Sequence, residues 1–133
     1  VRSMTSVNIA QRRDGFTLIE ILLVLVLIAL LASLATPIVY SAIERANEST
    51  LKQNLTVTRK AIDEYFVDKG DYPSTMEVLV SDKYLRTLPY DPIAKSYSSW
   101  IEIEAEEAGH SGVYDIKSSS EEQALDGSHY SDW

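Results

Sequence analysis

The chain has 133 residues, no cysteine and a formal net charge of -8, which leaves room for one domain at most and excludes disulfides and thiolate metal sites. Its charge clusters are acidic, Glu102, Glu104, Glu106 and Glu107, then Glu121 and Glu122. The clustered Lys and Arg that a phosphate backbone demands are missing, so nucleic acid is excluded as a partner. The polar part beyond Leu51 is small enough for a single core to be marginal, which makes self-association a natural remedy.

The first element is an apolar span. No charged residue occurs from Ile21 to Ile43. A helix of this length, about 34 Å, crosses a hydrocarbon core of about 30 Å. Arg12 and Arg13 precede it and an acidic domain follows, so the positive-inside rule predicts a cytoplasmic N-terminus with the bulk of the chain outside. Glu20 is out of place here. A carboxylate at membrane depth is costly and marks contact with a cationic partner. A competing reading is a secretory signal peptide with Arg12-Arg13 as n-region, Leu18 to Leu31 as h-region and a cut at Ser33-Leu34-Ala35, but it leaves Glu20 without a reason. A twin-arginine signal rests on Arg12-Arg13 alone.

Gly15-Phe16-Thr17-Leu18-Ile19-Glu20 resembles, position for position, the prepilin leader motif of type IV pilins and type II secretion pseudopilins. The resemblance implies cleavage between Gly15 and Phe16 by a prepilin peptidase, then N-methylation of Phe16. It divides the chain into a cytoplasmic leader (1–15), a transmembrane and filament-core helix (16–43), and an amphipathic helix half with a periplasmic α+β head (44–133). It also supplies a partner for Glu20, because cleavage creates an ammonium at Phe16 that titrates near about 8. That ammonium belongs either to a neighbouring subunit or to the same chain one turn away, and the sequence leaves both open. Simple tolerance of Glu20 near the membrane interface is the bland alternative. Pro37 predicts a bend or a melted turn around Ser33 to Pro37, since proline removes a helical hydrogen bond and clashes with the preceding turn. The family commonly kinks there.

Beyond the span, Leu51, Leu55, Thr58, Ile62, Tyr65 and Phe66 recur at steps of three and four, a helical stripe that lays one side on the head. The opposite face carries Lys52, Asn54, Arg59, Lys60, Asp63 and Glu64. Glu44, Arg45 and Glu48 either meet filament neighbours or are solvated. Lys69-Gly70 and Pro73 form a stop signal, giving a helix over 16–68. Ser74-Thr75-Met76-Glu77 fits a capping box opening a short helix with Met76, Leu79 and Val80 inward. Two prolines make 86–96 irregular. Residues 97–105 alternate as a half-buried strand with Ile101 and Ile103 on one face and Trp100, Glu102 and Glu104 on the other, Gly109-His110-Ser111-Gly112 turns, and 113–117 returns to complete an antiparallel hairpin that could pack on the Leu55, Ile62 and Phe66 stripe. A third short strand is possible near 130–133. The fold class is α+β, a long N-terminal helix packed on a small antiparallel sheet.

Asp71-Tyr72-Pro73, Leu79-Val80, Tyr84-Leu85, Leu88-Pro89, Asp91-Pro92 and Tyr114-Asp115-Ile116 together resemble the major, G-type pseudopilin of type II secretion. Two features depart from it: Ile93-Ala94 stands where that family often has Trp-Gly, and the tail Ser118-Ser119-Ser120-Glu121-Glu122 lacks its glycine-rich form. The resemblance implies a type IV pilin-like structural subunit of a periplasmic filament that promotes protein export from the bacterial inner membrane. Its implied partners are copies of itself, prepilin peptidase, other pseudopilins and an inner-membrane assembly platform. It also implies calcium in the C-terminal loop, with Asp126 and Asp132 the nearest ligands and carbonyls near Ser118 and Leu125 completing the shell. An acidic solvated tail without metal stands beside that reading. His110 and His129 lack ligand-like spacing, and a Ser, His, Asp triple in the tail is chance composition, so no enzymatic activity is expected. A subunit of an extracellular type IV pilus and an anchored or secreted binding domain are the alternatives.

Overall fold

A computed structural model describes residues 2–3 and 14–133; Arg12 and Arg13 lie outside the described residues. The chain divides into two units, Val1–Ile38 and Val39–Trp133. Helix α1, Leu18–Lys69, is continuous in sequence through both.

In the first unit α1 is built from Leu, Ile, Val and Ala, residues that lose little on entering a helix or gain from an apolar surround. Its few hydroxyls fold back on the helix. Ser33 Oγ donates to the Leu30 carbonyl at 2.7 Å and Thr36 Oγ1 to the Ala32 carbonyl at 2.8 Å, which keeps both hydroxyls satisfied within the helix. Of the bend or melted turn expected around Ser33 to Pro37, the melted turn does not form, because α1 is helical without interruption from Ser33 through Pro37. One lost hydrogen bond is too little to unwind a helix whose turns on either side keep theirs.

In the second unit the stripe on α1 behaves as its spacing requires. Leu51, Leu55, Thr58, Ala61 and Ile62 are buried, and the helix ends at Gly70, whose φ of +77 is the left-handed stop. Helix α2, Met76–Ser81, adds Met76 and Leu79 to the core, with Leu85 packed against it. The expected capping box is absent: Thr75 makes no side-chain cap. Instead Glu102 Oε1 accepts the Met76 N–H at 3.1 Å, so a tertiary acceptor replaces the local one. Residues 86–96 are irregular as expected, closed by paired backbone bonds between Asp91 and Ser96.

Strands β1, Ile101–Glu104, and β2, Val113–Lys117, form the antiparallel hairpin. β1 is shorter than the alternation implied, and neither of its faces is buried: Ile101, Glu102 and Glu104 are exposed and only Ile103 is half-buried. The register sets Glu102 opposite Ile116, which is fully buried, while Ile101 faces Lys117 and is 47% exposed. Directly opposed residues share a face, so the core is covered by Ile116 and Val113 of β2, and β1 lies at the edge of the ribbon. Between Ile103 and Glu104 the register slips, leaving Tyr114 as the extra residue of a bulge. No third strand forms near the end. Tyr130–Asp132 is a turn of 3-10 helix instead, which buries the Tyr130 ring in the core.

Candidate assembly site and C-terminal loop

The N-terminal motif is organised by a reciprocal cap. Thr17 precedes the first helical residue and accepts the first helical bond, from the Ile21 N–H at 3.1 Å. Its N–H donates to Glu20 Oε2 at 3.4 Å, and the Glu20 N–H donates to Thr17 Oγ1 at 3.2 Å. This is a capping box in which the carboxylate also faces the positive end of the helix dipole. The Thr-x-x-Glu spacing of this box is present in the sequence at Thr17-Leu18-Ile19-Glu20, at the head of the apolar run. Phe16, just ahead, is 77% exposed, and a Cβ at Gly15 would meet nothing within 4 Å. The Gly15–Phe16 bond is thus uncrowded among the described residues. Along α1 the large apolar residues from Leu18 to Ile43 are exposed within the chain, and among the described residues this is one helix long and apolar enough to cross a membrane.

The head carries its polar contacts where α1 meets the end of the chain. Arg59 Nε donates to Asp115 Oδ1 at 2.6 Å, and its Nη2 donates to the carbonyls of Ile116 at 3.0 Å and Trp133 at 2.6 Å. Asn54 Nδ2 donates to the Tyr90 carbonyl at 2.6 Å, and Lys52 Nζ lies 4.4 Å from the centroid of the Trp133 ring. Three residues expected on a solvated face therefore fasten α1 to the rest of the head, since long polar side chains at the flanks of a buried stripe reach past it. Glu48 is likewise turned inward: its Oε1 accepts from the Leu125 N–H at 2.7 Å and the Tyr130 hydroxyl at 2.9 Å. Burial and the Glu48 carboxylate push the Tyr130 phenol up to about 12.

Asp126 and Asp132, the two ligands implied by resemblance, line different clefts. Asp126 shares one of about 320 Å³ with Lys52, Arg59 and Trp133, and Asp132 shares another with Glu121, His129 and Ser131. Asp126 Oδ1 accepts the Ser128 hydroxyl at 2.6 Å and the Ser128 N–H at 2.9 Å. These bonds, with help from the Lys52 charge, hold its carboxyl below the usual range. Ser118, expected to lend a carbonyl, is buried with its hydroxyl donated to Asp91 Oδ2 at 2.5 Å. Calcium takes about six to eight oxygens, and among the described residues no three Asp, Glu or His side chains converge to hold a metal. The side chains present do not fit the ion.

Residues 10–36 match the family model described as a prokaryotic N-terminal methylation motif, which defines a chain of the prepilin-like class. The chain is similar to type II secretion system core protein G of Klebsiella pneumoniae, 34% identical over 103 residues, 65% of this chain and 74% of that protein. The corresponding protein of Pseudomonas aeruginosa is 35% identical over 103 residues, 65% of this chain and 72% of its own. That of Klebsiella michiganensis is 29% identical over 128 residues, 84% of this chain and 86% of its own. The chain belongs to the type II secretion system core protein G family, the major pseudopilins, and is a structural protein rather than an enzyme. No solved structure matches it.

Proposed function

We propose that this chain is the precursor of a type II secretion pseudopilus subunit. It is held in the bacterial inner membrane with its N-terminus in the cytoplasm and its head in the periplasm. Prepilin peptidase cuts between Gly15 and Phe16, Phe16 is N-methylated, and the inner-membrane assembly platform packs the α1 spans, with other pseudopilins, into a periplasmic filament that promotes export. The observation that carries this reading is the pairing of an uncrowded Gly15–Phe16 bond with a span whose large apolar side chains are exposed among the described residues. Such a surface is stable in lipid, or against other spans in a filament core. The new ammonium at Phe16 of an incoming or adjacent subunit then neutralises Glu20 where lone charge is costly.

The mass of the mature N-terminus tests the processing. Methylated Phe16 is expected, and a chain beginning at Thr36 would overturn the proposal in favour of an ordinary signal peptide. Deletion of the gene tests the assembly: loss of protein export with unchanged surface pili is expected, and loss of surface pili with normal export would reassign the subunit to an extracellular pilus.

A further inference from the structure

We infer that the C-terminal segment of this chain is fastened to α1 by Lys52 and Trp133 and needs no calcium. The inference concerns the head alone and stands whether or not the filament forms as proposed. The loop 123–129 closes on itself through backbone bonds, Ala124 N–H to the Ser128 carbonyl at 2.7 Å and Gly127 N–H to the Ala124 carbonyl at 3.0 Å. Gln123 Nε2 occupies the Gly127 carbonyl at 3.1 Å, and Tyr130 N–H the Glu122 carbonyl at 3.1 Å. The carbonyls of Glu122, Ala124, Gly127 and Ser128 are thereby engaged within the loop.

The side chains continue the same closure. Ser128 donates to Asp126, and its hydroxyl oxygen accepts the Trp133 indole N–H at 2.8 Å. The face of that indole is covered by the Lys52 ammonium from α1, a cation–π contact. Lys52 and Arg59 both line the cleft of Asp126, so a divalent ion entering there meets two positive charges. Arg59 is already matched by Asp115. The cleft thus contains its own cation, covalently attached to the helix, and the loop is joined to α1 again through Glu48.

The experiment uses the full chain purified in detergent, stripped with chelator and then titrated with calcium chloride, with thermal unfolding read by tryptophan fluorescence and loop cleavage by limited proteolysis. Midpoint and cleavage rate are expected to stay unchanged with calcium, while Lys52→Ala lowers the midpoint by about 4 °C and speeds cleavage in the loop. Lys52→Arg, which keeps the cation over the ring, is expected to restore most of both. Stabilisation of the wild-type chain by calcium, abolished by Asp126→Asn, would overturn the inference. So would a Lys52→Ala chain with wild-type midpoint and cleavage.

Discussion

Thr17 and Glu20 cap each other across the first turn of α1, each side chain accepting the other's backbone N–H. Glu20 therefore has a task within its own chain, satisfying a helix end whose N–H donors would otherwise lack a partner. The cap forms while Phe16 is still joined to Gly15, so it does not depend on a free Phe16 amine.

Substitution at Glu20 separates capping from pairing with an ammonium. Glu20→Gln keeps an oxygen for the Thr17 N–H and removes the charge, whereas Glu20→Ala removes both. If pairing governs assembly, both variants are processed and both lose filament, because deleting one partner of a buried ion pair costs about 3–5 kcal/mol. Filament yield from cross-linked membranes is the measurement. Wild-type yield from Glu20→Gln would show that the cap, worth about 1 kcal/mol, was all that mattered.

Gly112 closes the turn between β1 and β2 with φ at +101, and a Cβ there would lie 2.6 Å from the Pro73 carbonyl oxygen and 2.7 Å from that of Tyr72. Both are backbone atoms that cannot swing away. Gly112→Ala is expected to destabilise the head by about 3 kcal/mol, combining left-handed strain with displacement of the Val113 N–H from the Pro73 carbonyl. Gly109→Ala has the same φ and open space around it, so it should cost about 1 kcal/mol. Denaturant unfolding of the two variants side by side checks the difference.

Arg59 joins α1 to β2 and to Trp133 with three bonds from one guanidinium. Arg59→Ala is expected to cost about 2–3 kcal/mol, discounted from the full charged value because the pair is partly exposed. Arg59→Lys should rescue little, since an ammonium cannot reproduce the fork. A double-mutant cycle with Asp115→Ala should return a coupling of about 1 kcal/mol, and a coupling of zero would assign the loss to the carbonyl bonds.

Tyr130 makes the head sensitive to alkali. Its phenol keeps its proton up to about 12 in the folded chain against 10.0 as the ordinary value. The protonated form is the one folding favours, so this stability is complete below the ordinary value and is lost as pH rises through the folded one. Tyr130→Phe should show a smaller fall in unfolding midpoint across that window, though a lower midpoint at neutral pH because Glu48 loses a donor. Thermal unfolding along a pH series decides it.

Much of the head was readable in the pattern. The stripe from Leu51 to Ile62, the stop at Gly70 and the irregular stretch around Pro89 and Pro92 follow from periodicity and from what glycine and proline permit, and all three appear in the fold. The exposure of β1 was not readable. Ile101-Glu102-Ile103-Glu104 alternates faithfully, but how far either face is covered depends on what packs beside the hairpin, and three of the four residues stay exposed. The register against β2, with its bulge at Tyr114, is likewise set outside the strand. The end of the chain misled in the same way, because Tyr130 to Trp133 has strand-forming residues that the core recruits into a 3-10 turn.

The sequence by itself determined the long apolar helix, the motif from Gly15 to Glu20 and the α+β class, because these depend on local composition and spacing. Only the tertiary structure decided that Lys52, Arg59 and Glu48 reach the end of the chain, and that Asp126 and Asp132 look into separate clefts. Those outcomes depend on residues far apart in sequence. For a long polar side chain at the edge of a stripe, contact or solvent is settled by what the rest of the chain brings within reach.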